Sequence, residues 1–162
     1  MKLFKNGFLL LLIISLVGTV LFYSIKESVQ IKLNERIQYS LELTREAQEL
    51  FADGEYAEAK ELLLESLALN KLNPHTYTCL AFVELNLGNY QQAYEYFVST
   101  LNMNATSVEI IQSLAQILLE SGHYVEAEKY LFYGLQDYPE NETLLDLLDQ
   151  VRNAAAPVHT AN

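Results

Sequence analysis

The sequence predicts an all-α chain of three helix–turn–helix repeats and a C-terminal capping helix, preceded by one N-terminal transmembrane helix. Three observations predict it. Gly54, Gly88 and Gly122 stand 34 residues apart, as do Tyr56, Tyr90 and Tyr124, and Leu67, Leu101 and Leu135. Two alanine series, Ala47, Ala81 and Ala115 and then Ala59, Ala93 and Ala127, keep that interval. Glycine makes up about 7% of an average protein, so matches at one fixed offset in five series are not chance. Residues 6–25 carry no charged side chain. After Pro139, Leu144, Leu145, Leu148 and Val151 supply an apolar face at helical spacing, with no second helix to follow.

Taken in order, the first element (1–25) reads as a membrane anchor. An uncharged helix of that length covers about 30 Å at ~1.5 Å per residue, the thickness of a hydrocarbon core. Lys2 and Lys5 precede it, as in a signal sequence. No cysteine lies near its end, which excludes lipoprotein processing, and bulky Leu21, Phe22 and Tyr23 stand where cleavage wants small residues. An uncleaved anchor is the expectation. The basic N-terminal tail favours export of the repeats, although Lys26, Lys32 and Arg36 on the other flank keep the charge contrast small.

Residues 26–39 form a linker. Neither Gly nor Pro occurs between Gly18 and Gly54, and Val29, Leu33, Ile37 and Leu41 recur every four residues. A helical linker, continuous with its neighbours, is favoured over a flexible one. The repeats follow at 40–73, 74–107 and 108–141. In the second, Asn73-Pro74 opens helix A, Gly88 closes it, and helix B carries Ala93, Phe97 and Leu101 on one face. The alanines stand where two helices must approach closely, and Tyr90 is expected to fill the gap beside the turn. A capping helix (142–153) and a disordered tail (154–162) complete the chain.

At these residues the chain resembles the tetratricopeptide-repeat (TPR) family. The resemblance covers residues 40–141, through Gly-x-Tyr-x-x-Ala, the small residue of helix A and Pro139. It departs at Glu46, where Leu80 and Leu114 keep the family's leucine. It departs again on helix A, where Leu50, Glu84 and Leu118 replace an aromatic. The resemblance implies a concave binding face on the A helices, formed by Thr44, Gln48, Phe51, Thr78, Phe82, Leu85, Gln112, Gln116 and Leu119. Some TPR proteins clamp an acidic tail there with Lys, Arg and Asn. These places here are Thr, Gln and apolar, so that clamp is not present. The face suits a helix or extended segment held through its side chains. Phe51, Leu85 and Leu119 could equally be core.

Charge divides the chain: residues 1–39 carry +3 and residues 40–162 carry −14. No basic stripe exists for nucleic acid. The acidity keeps the domain soluble, and as a sharper reading it points to a basic partner. His75 and Cys79 lie one turn apart, but no second Cys or well-placed His completes a metal site. There is no phosphate-binding glycine loop and no GxSxG. Neither enzyme activity, cofactor nor metal is expected. The partners expected are a protein or peptide and, through the N-terminal helix, the lipid bilayer. The chain resembles bacterial inner-membrane proteins with periplasmic TPRs, and reads as an adaptor in an envelope assembly, secretion or quality-control complex. The alternatives are a homo-oligomeric module stacking through its repeats and a cytosol-facing receptor like those of mitochondrial import.

Overall fold

A computed structural model describes residues 2–156, apart from the side chains of residues 2–11 and 13. Seven helices follow one another within those residues: α1 (Lys2–Asp53), α2 (Tyr56–Leu69), α3 (Pro74–Asn86), α4 (Tyr90–Asn102), α5 (Val108–Glu120), α6 (Tyr124–Asp137) and α7 (Glu142–Ala155). The last turns of α1 pair with α2, α3 with α4 and α5 with α6; α7 closes the stack against α5 and α6.

The three glycines end the A helices. Gly54, Gly88 and Gly122 have φ of 84°, 78° and 76°, a left-handed conformation that disfavours any residue with a Cβ. The residue after each glycine donates its N–H back to a helix carbonyl five positions earlier: Glu55 to Leu50, Asn89 to Glu84, His123 to Leu118. This closes the orphan carbonyls in the same way three times. Helix starts are capped by side chains at Asn73, Ser107 and Asn141, which accept from His75, Ile110 and Leu144 N–H.

All six repeat alanines are buried. Ala47, Ala59, Leu63, Leu80 and Val83 form one apolar cluster across α1, α2 and α3. A larger one runs from Ala81 through Phe97, Leu114 and Leu131 to Val151. Helix α3 contributes to both, so the central repeat joins the two halves. Tyr56 packs on Phe51, their ring centroids 5.3 Å apart, and Tyr124 is partly buried. Tyr90 departs from expectation. It is 51% exposed and fills no gap beside the Gly88 turn.

The cap also differs in one residue. The buried face of α7 is Leu144, Leu147, Leu148 and Val151, the i, i+3, i+4, i+7 pattern of one helix face, and Leu145 points outward.

Helix α1 runs unbroken from Lys2 to Asp53, and packing begins only at its C-terminal end. Every side chain from 14 to 36 is exposed, and Ser40 is the first to be fully buried. Among the described residues no helix is long and apolar enough to cross a membrane. Residues 6–11 and 13 of the apolar run expected to form the anchor lie outside the described side chains, and residues 157–162 of the tail lie outside the described residues altogether.

Candidate functional site

The A helices α1, α3 and α5 carry the expected face. Gln48 and Phe51 lie one turn apart on α1, Phe82 and Leu85 on α3, and Gln112 and Gln116 on α5. These six line two depressions either side of α3. The first, about 190 Å³, brings Gln48 and Phe51 together with Phe82, Cys79 and Val83. The second, about 300 Å³, brings Leu85 together with Gln112, Gln116, Tyr90 and Ile117, and Glu120 forms part of its rim.

Phe82 is half-buried. Its ring meets Phe97 edge-on, with centroids 5.1 Å apart and planes at 83°, so one edge belongs to the core and the other to the depression. Phe51 and Leu85 are likewise partly buried. Leu119 packs against the larger core and lines neither depression. Thr78 is partly buried and directs its hydroxyl inward, donating to the Pro74 carbonyl (3.1 Å) with the Thr100 hydroxyl 3.4 Å away.

Thr44 requires correction. It is 2% exposed, and its hydroxyl lies 2.8 Å from that of Ser66 and 3.1 Å from that of Thr76 while donating to the Ser40 carbonyl. It therefore seals the seam between α1, α2 and α3 and cannot meet a ligand. Ser40, Thr44, Ser66 and Thr76 form one buried hydroxyl cluster, which the sequence reading missed. Its signal was four small hydroxyl residues at the meeting points of three helices, none forced inward by an apolar pattern.

Glu84 is more than a departure from the repeat pattern. It is buried, with Lys60 Nζ 2.9 Å from one carboxylate oxygen and Asn89 Nδ2 donating to the other at 2.8 Å. A carboxylate where the flanking repeats have Leu50 and Leu118 needs such partners to be tolerated.

The face offers little chemistry. Burial pushes the Cys79 thiol up to about 11, so it is an inert packed group, 3.9 Å from the His75 ring. No three His, Cys, Asp or Glu side chains converge on a metal position among the described residues. Residues 40–162 hold five Lys or Arg side chains, and four of them are engaged, Lys60 with Glu84 as above. Arg45 pairs with Glu49 at 2.6 Å and Arg152 with Glu128 at 2.8 Å, while Lys129 lies 5.7 Å from the centre of the Tyr130 ring. The central repeat contains neither Lys nor Arg.

Residues 84–151 match a family model described as tetratricopeptide repeat. The chain has the TPR fold. The TPR fold is shared with solved structures of low identity. The TPR domain of Arabidopsis OM64 is 19% identical with a TM-score of 0.66, covering 73% of this chain and 98% of that one. The first TPR of Spaghetti (RPAP3) bound to the HSP90 peptide SRMEEVD is 20% identical with a TM-score of 0.67, covering 72% and 93%. MamA from Desulfovibrio magneticus RS-1 is 21% identical with a TM-score of 0.66, covering 72% of this chain and 66% of that one. No curated protein matches the chain.

Proposed function

We propose that this chain is a single-pass membrane-anchored TPR adaptor that captures a linear segment of another protein on its A-helix face. Residues 1–25 are its uncleaved anchor in a bacterial inner membrane, and the repeats work outside the cytoplasm in an envelope assembly, secretion or quality-control complex. The observation that carries the binding reading is the pair of depressions flanking α3, each with an apolar floor and glutamine amides at its edge. Support comes from two domains of the same fold solved with peptides. The first TPR of Spaghetti (RPAP3) holds SRMEEVD, and the second TPR of human RPAP3 holds the HSP70 peptide SGPTIEEVD. The anchor reading is supported by the uncharged run 6–25 and by the exposed apolar surface of α1 from Ile14 to Ile25.

A photo-crosslinking residue at Gln112, in cells, tests the face. Partner adducts from that site and none from Gln136 on α6 are expected; the reverse would remove the A-helix face from the proposal. A cysteine placed at Asn162 tests the topology, because a membrane-impermeant reagent should label it in intact cells. Labelling only after lysis would put the repeats in the cytoplasm.

Self-assembly is a second reading, favoured by the outer face of α6, where Val125 is 86% exposed beside exposed Phe132. It predicts a mass in detergent that rises with concentration.

A further inference from the structure

We infer that the segment held by the A-helix face is cationic, with two apolar side chains three residues apart, and is not an acidic tail. This inference rests on the binding-face reading and names its ligand chemistry. Phe82 and Leu85 occupy one face of α3, separated by about 4.5 Å along the axis, and each opens into a different depression. Neighbouring helices stand about 10 Å apart, and a polyproline-II segment advances about 3.1 Å per residue with residues i and i+3 on one face. A segment crossing α3 can thus seat residue i beside Phe51 and Phe82 and residue i+3 beside Leu85.

Charge sets the rest. The only cation on α1 from its first buried residue onward is Arg45, and it is held by Glu49. Helices α3 and α5 supply none. At the second depression the Glu120 carboxylate accepts one hydrogen bond, from Gln116 Nε2 at 2.7 Å, and keeps acceptor capacity for a Lys or Arg. Residues 40–162 carry −14 in total, so an acidic segment meets repulsion at long range and an unmatched carboxylate at short range. A basic segment gains at both.

A random linear peptide library, selected on the full-length chain in detergent, tests this without prior choice of sequence. The enriched peptides should carry net positive charge and an apolar pair at i and i+3. Their affinity, read by fluorescence anisotropy, should fall as salt rises. Glu120→Lys should weaken it about tenfold, while Asp137→Lys, the same charge reversal on α6, should leave it unchanged. Circular dichroism on both variants controls for folding.

Enrichment of acidic peptides whose binding still falls with Phe82→Ala would overturn the cationic assignment and keep the face. Equal loss from Glu120→Lys and Asp137→Lys would also overturn it, as an effect of net charge alone. Peptides indifferent to both Phe82→Ala and Glu120→Lys would overturn the inference and the binding-face reading together.

Discussion

Phe82→Ala separates packing from binding on one side chain, and the structure sets both magnitudes. A fully buried Phe→Ala change costs about 3–5 kcal/mol. Phe82 buries one edge against Phe97 and leaves the other in the depression, so about half of that, ~2 kcal/mol, should appear as lost stability. Domains of this size are stable by about 5–15 kcal/mol, so the variant stays folded at ambient temperature. Any loss of capture then belongs to the face itself. An aromatic anchor buried by a partner contributes about 2 kcal/mol or more, a thirtyfold change in affinity. The assay is urea unfolding and peptide binding on the same preparation. A folded Phe82→Ala protein with full affinity would refute the A-helix face as the docking site. A stability loss above about 4 kcal/mol would place the whole ring in the core.

Ala93→Leu puts a large side chain into a fully buried position on α4 and should lower stability by about 1–3 kcal/mol; a loss below about 0.5 kcal/mol would contradict the close helix approach. Gly134→Ala on α6 should destabilise by about 1 kcal/mol despite alanine's better helix propensity, because the new Cβ would stand 2.8 Å from Ile111 Cγ2. Increased stability would show that Ile111 can move aside. Tyr94, raised by burial and by its hydrogen bond to Glu126, has a higher pKa folded than unfolded. Its contribution is complete below the ordinary value near 10 and is lost as pH climbs above it, so the urea midpoint should fall on the alkaline side. Tyr94→Phe should flatten that fall; an unchanged slope would exclude Tyr94 as its source.

The repeat unit was legible because its constraints are local. A left-handed residue at the turn demands glycine and a close helix approach demands alanine, and both leave marks at a fixed interval. What the sequence hid depends on which helices meet. Thr44 looks like a groove residue on its own helix. It is buried because Ser66 and Thr76, from two other helices, supply hydrogen bonds that let a hydroxyl go inside. Glu84 looked like a flaw in an apolar face until Lys60 and Asn89 were placed beside it. On α7, Leu145 and Leu147 could not be told apart by composition, and contact with α5 and α6 decides between them. The half-buried state of Phe82 was equally out of reach, since helical periodicity distinguishes inside from outside but not the rim.

The unbroken α1 gives the charge division a physical purpose under the anchor proposal. Residues 26–39 lie between the apolar run and the first buried residue, Ser40, which at 1.5 Å per residue is a rise of about 20 Å. The Debye length at physiological salt is about 8 Å, so repeats held that far from an anionic leaflet feel little of its repulsion. The linker itself is near neutral, with Lys26, Lys32 and Arg36 set against Glu27 and Glu35, so it adds no repulsion of its own. Distance for the acidic repeats follows from one continuous helix. A break in it should undo that distance. Replacing Gln30 and Ile31 with Gly-Pro would let the −14 domain swing toward the surface. Partner capture should then weaken on vesicles rich in anionic lipid and hold on neutral ones. Equal capture on both would show that the height of the repeats above the membrane does not matter.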